Sequence, residues 1–225
     1  SLDFQISVVN PPVASPPPPR YKQKTIPKID VHTHIEPGAL ARTKRLMGPE
    51  GTVHVVNLSG GHAGRGLEQA LADAKATGYA TIFTNPDFRE LFRGPGAGAR
   101  MAVKIKQAAE LGARGVKIHK GLGLGYGLDE THFIPVDDKG LDPIFEEAGK
   151  HKLPVAIHSG DPQAFWQPPG PDNERWDELR AHPGWSFWKH PVKWEEIFAQ
   201  YERRVARHPK TIFIGVHFGN APEEP

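Results

Sequence analysis

The segment Lys28-Ile29-Asp30-Val31-His32-Thr33-His34 predicts a strand that ends in two histidines one residue apart. Side chains at positions i and i+2 of a strand point the same way, so His32 and His34 can bind one cation from one side. Two later strands also end in histidine, at His158 and His217. The pattern predicts a metal site built at the ends of several strands.

The composition narrows the class of protein. With 225 residues, 38% hydrophobic and 24% charged, the chain is typical of a soluble globular domain with one substantial core. The net charge of +2 is small and the basic residues are dispersed, so nucleic acid is not an expected partner. No apolar run approaches the roughly 20 residues of a membrane-spanning helix, and no retained signal peptide is expected. Cysteine is absent, so any metal must be held by histidine, carboxylate or a modified lysine.

The first 25 residues read as a proline-rich leader or linker outside the core. Their stretch Pro11-Pro12-Val13-Ala14-Ser15-Pro16-Pro17-Pro18-Pro19 favours extended polyproline conformation. We therefore place a single domain at residues 26–225. The start without methionine fits either an export leader removed upstream or a partial gene model, so the compartment stays open between cytoplasm and export.

From Thr25 onward, short apolar segments alternate with segments whose apolar residues recur at helical spacing. The strand candidates are Ile29–His34, Val53–Leu58, Ala80–Asn85, Gly115–His119, Val155–His158 and Ile212–His217. The helix candidates are Gly66–Thr77, Ala99–Leu111, Leu141–Lys150 and Trp194–His208. This order predicts parallel strands with crossover helices, in a barrel or an open doubly wound sheet. The glycine-rich stretch 121–125 lacks the spacing of a phosphate loop, which favours the barrel.

Polar residues at the carboxyl ends of these strands support the barrel, because α/β barrels assemble their sites there. The residues concerned are His32, His34, Lys117, His119, His158 and His217. Lys117 and His119 share one face of their strand, and small Ala156 and Gly215 share a face with the histidines that follow them, which leaves space near an inward imidazole.

Four strand motifs together resemble the amidohydrolase superfamily. They are Ile29-Asp30-Val31-His32-Thr33-His34, Gly115-Val116-Lys117-Ile118-His119, Pro154-Val155-Ala156-Ile157-His158 and Phe213-Ile214-Gly215-Val216-His217. They look like the first, fourth, fifth and sixth strands of its amidohydrolase-related branch. That branch includes metal-dependent hydrolases and decarboxylases similar to aminocarboxymuconate semialdehyde decarboxylase. The resemblance spans about residues 26 to 220.

The resemblance implies a distorted TIM-like (β/α)8 barrel that holds one or two divalent ions, most often zinc. By it, His32, His34 and His158 are metal ligands. His217 is a catalytic residue that orients or polarises the substrate, or a ligand of a second ion. Lys117 matches a position that some members carboxylate to bridge two ions, so one ion is expected unless Lys117 is carboxylated.

The chain departs from the family pattern at its end. The family takes a further ligand and general base from an Asp that ends the eighth strand, whereas this chain stops at Pro225 after about six βα units. We expect a C-terminally truncated fragment of a longer protein, with open edges at its first and sixth strands. Such a fragment is expected to bind metal poorly.

The loops give weaker indications about the substrate. Residues 160–190 hold four of the five tryptophans and are expected to form a wall of the pocket, with Trp166, Asp161 and His119 as candidate substrate contacts. The rival interpretation is that the tryptophans only pack this loop onto the barrel. Lys117 has a rival role as well, since an inward lysine can line the pocket or pair with a carboxylate.

The sequence favours a hydrolase that uses a metal-activated water to cleave a C–N or C–O bond of a small substrate, an aromatic one among the candidates. A decarboxylase of the same family needs the same ligands and is the first alternative. A non-catalytic metal-binding partial barrel is the second. Homo-oligomer formation is left open.

Overall fold

The computed structural model describes residues 26–127 and 132–220. The predicted leader at residues 1–25 and residues 128–131 of the loop after the fourth strand lie outside these ranges. No helix in the described ranges combines the length and the apolar character needed to cross a membrane.

Six parallel strands form one curled sheet. Their bounds are β1 Lys28–Thr33, β2 Thr52–Asn57, β3 Ala80–Thr84, β4 Gly115–Ile118, β5 Val155–Ile157 and β6 Phe213–Gly215. The strands lie side by side in chain order, and each pairs in parallel with the next. All six predicted strands are thereby confirmed, and the architecture is an incomplete TIM-like barrel of about six βα units.

Helices alternate with the strands. Their bounds are α1 Leu40–Met47, α2 Leu67–Thr77, α3 Ala97–Leu111, α4 Gly121–Leu124, α5 Asp142–Lys150, α6 Trp176–Ala181 and α7 Trp194–Arg207. Short 3-10 turns lie at Phe88–Arg93, Lys139–Leu141, Gln163–Trp166, Pro183–Trp185 and Val216–Asn220. The four predicted helices are confirmed within two residues at each end. Helices α2 and α3 end where predicted because Gly78 (φ 61°) and Gly112 (φ 111°) adopt the left-handed conformation that closes a helix.

The core lies where helices cover the middle of the sheet. Strands β4 and β5 are buried throughout, and their outward side chains Val116, Ile118, Val155 and Ile157 pack with α3, α5 and α7. Strands that are covered on both faces are apolar along their whole length, which is why the sequence pattern predicted them.

The two ends of the sheet are less covered. Val31 of β1 is 67% exposed and Ile214 of β6 is 41% exposed. Within the described residues, neither strand has a hydrogen-bonded neighbour on its outer side. The predicted open edges are therefore present, with apolar side chains on them.

Candidate metal centre

Five imidazoles from four strands meet at the carboxyl ends of the sheet. We call this group the histidine centre: His32 of β1, His34 directly after β1, His119 after β4, His158 after β5, and His217 after β6. The ring centroids of His32 and His217 lie 4.9 Å apart, those of His158 and His217 4.7 Å apart, and those of His34 and His119 5.6 Å apart. The structure thus brings together all five histidines that the strand pattern singled out.

His32 and His34 are spaced so that both can bind the same ion. Their Nε2 atoms lie 3.3 Å apart. Two nitrogen ligands about 2.0–2.1 Å from a tetrahedral zinc ion lie roughly 3.4 Å from each other. The Nδ1 atom of His34 lies 2.7 Å from the Ser59 hydroxyl, a contact that fixes the ring and leaves Nε2 for the shared position. Asp30 accepts a hydrogen bond from the His32 amide, so its contact is with the backbone rather than with an imidazole.

Lys117 lies fully buried beside the histidine centre. Within the described residues its ammonium nitrogen has no hydrogen-bond partner, and the Ser159 hydroxyl is likewise buried and unpartnered. Burial lowers the pKa of Lys117 to about 8. A buried cation without a partner is costly, so Lys117 loses its proton more easily than an exposed lysine does.

The electrostatics keep the imidazoles neutral. Burial, followed by the charge of Lys117, lowers the pKa of His32 to about 4 and that of His119 to about 4. The same causes lower the pKa of His34, while burial and then His158 lower that of His217. These four rings are therefore uncharged near neutral pH, which is the state that binds a metal ion.

His217 has an unusual backbone. Its φ of 52° lies in the left-handed region, which few residues other than glycine adopt. Such strain persists only where the surrounding structure enforces it, and it occurs often at functional sites. Here the strained turn follows β6 at once and brings the ring of His217 against those of His32 and His158.

His158 is held from its other side by a carboxylate. Its Nε2 atom lies 3.4 Å from Oδ1 of Asp161, and Oδ2 of Asp161 lies 2.5 Å from the ammonium of Lys120. Burial raises the pKa of Asp161, but hydrogen bonds from His158 and Lys120 outweigh it and lower the pKa overall. Asp161 is thus an ionised, buried bridge between the loops that follow β4 and β5.

The donor set fits a divalent ion, although the arrangement is not closed. In the ranges that the structure describes, no three His, Asp or Glu side chains already surround a common point. His32 and His34 have the spacing of two ligands. The ring of His217 lies next to that of His32 and the ring of His119 next to that of His34, whereas His158 contacts the ring of His217.

The predicted substrate contacts are less tightly grouped. His119 lies beside the Asn85 amide, with 3.4 Å between Nε2 and Nδ2. The indole N–H of Trp166 donates to the carbonyl of Val192, and its ring stacks on Phe187 with centroids 4.5 Å apart. These contacts pack the loop after β5 onto itself, so a place for Trp166 in the substrate pocket stays a prediction.

The aromatic residues of that loop line a separate cavity of about 320 Å³. Its lining includes Trp166, Phe187, Trp188 and Trp194 but none of the histidine centre. Trp185 lies outside it, 47% exposed and stacked on His182. Within the described residues this cavity and the histidine centre share no lining residue, and the wall that these tryptophans were expected to form stays a prediction.

Sequence reasoning missed three residues that position the site. They are Ser59, which contacts His34, Lys120, which pairs with Asp161, and Asn85, whose amide donates to the carbonyls of Leu58 and Lys117. Each of the three follows the end of a strand directly or within two residues, and that position was the available signal. Their partners lie on other strands, so the sequence alone did not rank them.

Comparison with known proteins gives one family match and several similar folds. A family model described as amidohydrolase matches residues 29–224. A search of curated protein sequences finds no match. Among solved structures, 2,6-dihydroxybenzoate decarboxylase from Rhizobium is 14% identical with a TM-score of 0.50, over 83% of this chain and 65% of that one.

A second solved structure is a dihydroxybenzoic acid decarboxylase from Polaromonas with bound manganese and the inhibitor 2-nitroresorcinol. It is 13% identical with a TM-score of 0.51, over 83% of this chain and 64% of that one. This chain therefore spans about 65% of the length of the solved relatives. At such low identity the likeness shows the fold and leaves the reaction to be inferred from the site.

Proposed function

The chain belongs to the amidohydrolase family, and from this membership we propose that it is a metal-dependent hydrolase that cleaves a C–N or C–O bond of a small substrate. One observation carries the proposal. Five imidazoles from four strands converge at the carboxyl ends of a curled parallel sheet, where barrels of this type place their chemistry.

His32, His34 and His158 would hold the ion. The chemistry that a divalent ion supplies when bound is Lewis acidity toward a water molecule and toward a substrate carbonyl. Zinc is the ion we favour, since imidazole nitrogen suits it and the chain has no thiolate. Manganese is the second choice because the Polaromonas relative carries it.

His217 is the residue we assign to the substrate. A neutral imidazole can donate one hydrogen bond, and the strained turn after β6 places this ring between the rings of β1 and β5. From there it would orient the substrate oxygen and stabilise the negative charge that develops on it. His119, on the opposite side of His34, would line the pocket.

Lys117 decides between one ion and two. As an amine it would line the floor of the site. As a carbamate, formed when its nitrogen bonds to the carbon of carbon dioxide with loss of a proton, it would supply two oxygen ligands and permit a second ion. Its burial without a partner lowers its pKa, which makes the neutral amine, from which a carbamate forms, more accessible than in an exposed lysine.

A decarboxylase is the second candidate, and Lys117 favours it. Its ammonium nitrogen has no partner within the described residues and could receive the carboxylate of an acidic substrate, whereas Lys120 is already paired with Asp161. Relatives of this fold include an enzyme complexed with 2,6-dihydroxybenzoate. In this reaction the ligands would hold a carboxylated ring, protonation at carbon would follow, and carbon dioxide would leave.

Metal content is the first test. The chain, and the protein read through to its stop codon where the two differ, is purified without chelator and examined by elemental analysis. In the longer protein we expect about one equivalent of zinc or a similar ion, lost in His32→Ala and His34→Ala, whereas the chain on its own should retain less. His182→Ala is the matched control, because that histidine is exposed and stacks on Trp185 away from the centre.

Activity then separates the candidates. Release of product from esters, lactones or anilides would support the hydrolase, and release of carbon dioxide from hydroxybenzoates would support the lyase. Metal bound without either activity would favour the non-catalytic module. Absence of metal after reconstitution of the longest form would refute the metalloenzyme proposal altogether.

A further inference from the structure

We propose that the cavity of about 320 Å³ between the loop after β5 and the start of α7 binds an aromatic anion, that is, a flat ring that carries a negatively charged group. We call it the aromatic cavity, and its aromatic lining residues are Trp166, Phe187, Trp188 and Trp194. Its volume is typical of small-molecule pockets, which measure roughly 300–1,000 Å³. Within the described part of the chain it shares no lining residue with the histidine centre, so this site is additional to the proposed function and does not depend on it.

Two of the rings are held in place by the protein itself. The indole N–H of Trp166 donates to the carbonyl of Val192 at 3.0 Å, and the Trp166 ring stacks on Phe187. The indole N–H of Trp194 donates to the carbonyl of Asp161 at 3.2 Å, and this residue is buried. Side chains that are already fixed lose little conformational entropy on binding, so a ligand ring can pack against them at small cost.

Trp188 gives the cavity an open aromatic side. It is 43% exposed although it lines the cavity. A ligand that covers this ring removes a large apolar area from water, and aromatic pairs gain further from stacked or edge-to-face geometry. An exposed indole next to rings that are already fixed therefore favours a ligand with a flat ring of its own.

The charged side chains of the aromatic cavity favour an anion. Its described lining contains two lysines, Lys189 and Lys193, and one carboxylate, Glu195. Within the described residues the ammonium of Lys189 has no hydrogen-bond or ion-pair partner, and that of Lys193 contacts only the carbonyl of His190, at 3.3 Å. Neither lysine is neutralised by a carboxylate in these ranges, so both can attract a negative group. The same two charges disfavour the cationic ligands that aromatic rings can also bind.

The backbone of Lys189 is a further sign that this side chain has a function. Its φ of 70° lies in the left-handed region, where a residue with a Cβ is strained and glycine is not. The amide of His190 donates to the carbonyl of Phe187, which closes a turn with Lys189 at its third position. Glycine is the residue that such a turn prefers at this position. Strain of this kind occurs often at functional sites, and here it places an unpaired cation at the aromatic cavity.

Calorimetric titration with 1-naphthoate tests the site. It is carried out on the chain freed of metal by a chelator and on the His32→Ala/His34→Ala variant, so that a metal ion cannot contribute to binding. We expect one naphthoate per chain with equal affinity in both. Binding that disappears in the double variant would place the ligand at the histidine centre and overturn the proposal. The metal content of the protein does not enter these titrations, so their failure is distinguishable from failure of the proposed function.

Three related probes test the chemistry of the ligand. Cyclohexanecarboxylate keeps the charge without the flat ring, 1-naphthalenemethanol keeps the ring without the charge, and 1-naphthylmethylammonium reverses the charge. Each should bind more weakly than 1-naphthoate, and the affinity for naphthoate should fall as the salt concentration rises. Equal or tighter binding of the ammonium probe would overturn the assignment of an anion.

Trp188→Ala tests the open aromatic side. We expect naphthoate to bind roughly 5–150-fold more weakly, as observed when aromatic side chains that stack on flat ligand rings are removed. Trp185→Ala is the matched control, because Trp185 is 47% exposed but stacks on His182 and does not line the aromatic cavity. Equal naphthoate affinity in the wild type and Trp188→Ala would overturn the proposal.

Lys189→Gly separates a binding role from a structural one. The substitution removes the charge and relieves the backbone strain, so we expect naphthoate affinity to fall roughly 2–5-fold while Tm stays equal or rises. Lys152→Gly is the matched control, because Lys152 also has a positive φ, of 54°, but does not line the aromatic cavity. It should leave the affinity unchanged. An unchanged affinity in Lys189→Gly would show that this lysine only shapes the turn and would overturn its role in binding the anion.

Discussion

Arg204 of α7 provides the sharpest test of how this fold is held together. The side chain is fully buried, and its guanidinium donates to the carbonyls of Val136 and Asp138 and to the carboxylate of Asp142. It also lies over the ring of Phe145 at 4.1 Å from the centroid. One residue thereby joins α7 to α5 and to the segment that precedes α5.

The loss of stability expected for Arg204→Met follows from the groups that lose their partner. It removes a buried charge from its partner Asp142 and leaves two carbonyl oxygens without their donor. Breaking a buried ion pair from one side typically costs about 3–5 kcal/mol. We expect a loss of about 4 kcal/mol in the free energy of unfolding, which lowers Tm by roughly 8–16 °C for a chain of this size.

Arg203→Met is the matched control on the same helix. Arg203 forms two ion pairs where Arg204 forms one, at 2.6 Å with Asp137 and 2.8 Å with Glu196, but its side chain is 48% exposed. Exposed pairs contribute about 0–1 kcal/mol, so this variant should change the free energy of unfolding by less than about 1 kcal/mol. Urea denaturation followed by tryptophan fluorescence measures both variants. Equal losses in the two would refute the argument that burial, rather than the number of ion pairs, sets the cost.

Three further predictions test the packing, the electrostatics and the edges of the sheet. In Gly98→Ala the new Cβ would clash with the backbone carbonyl oxygen of Gly140, so we expect the free energy of unfolding in urea to fall by about 1–3 kcal/mol. Gly170→Ala, whose Cβ would have no atom within 4 Å, should lose none. Burial raises the pKa of Asp142, but hydrogen bonds from two arginines lower it more. The contribution of Asp142 to stability should therefore be complete above about pH 4 and disappear as the pH falls further. Asp142→Asn should make stability depend less on pH in this range, and an unchanged dependence would contradict the argument. Ile214→Lys places a charge on an exposed edge strand and should reduce self-association in sedimentation experiments, and equal association in both proteins would count against the edge as its cause.

Much of the site could be predicted because it depends on two local rules. Side chains alternate along a strand, and parallel strands place their carboxyl ends at the same edge of a sheet. These rules suffice to bring His32, His34, His158 and His217 together without any knowledge of contacts. Strands β4 and β5 could also be predicted from their continuous apolar sequence, because a strand that is covered on both faces does not alternate apolar with polar residues.

The residues that orient the histidines depend on contacts that no local rule supplies. Ser59 meets His34 across two strands, and Asp161 reaches His158 only because Gly160 turns the chain with a positive φ. The contacts of Arg204 also depend on residues that are distant in sequence. It lies on the same helical stripe as Trp194 and Ile197, so periodicity places it inward, but its partners come from the loop and helix before β5.

The histidine centre also connects the two ends of the open sheet. β1 and β6 lie at opposite edges and share no backbone hydrogen bonds in the described ranges, yet the rings of His32 and His217 lie 4.9 Å apart. In the described ranges, β1 and β6 are therefore connected through imidazole contacts and not through strand pairing. An ion bound between β1 and β5 would hold the same curl, because its binding free energy adds to the stability of whichever arrangement brings those donors together.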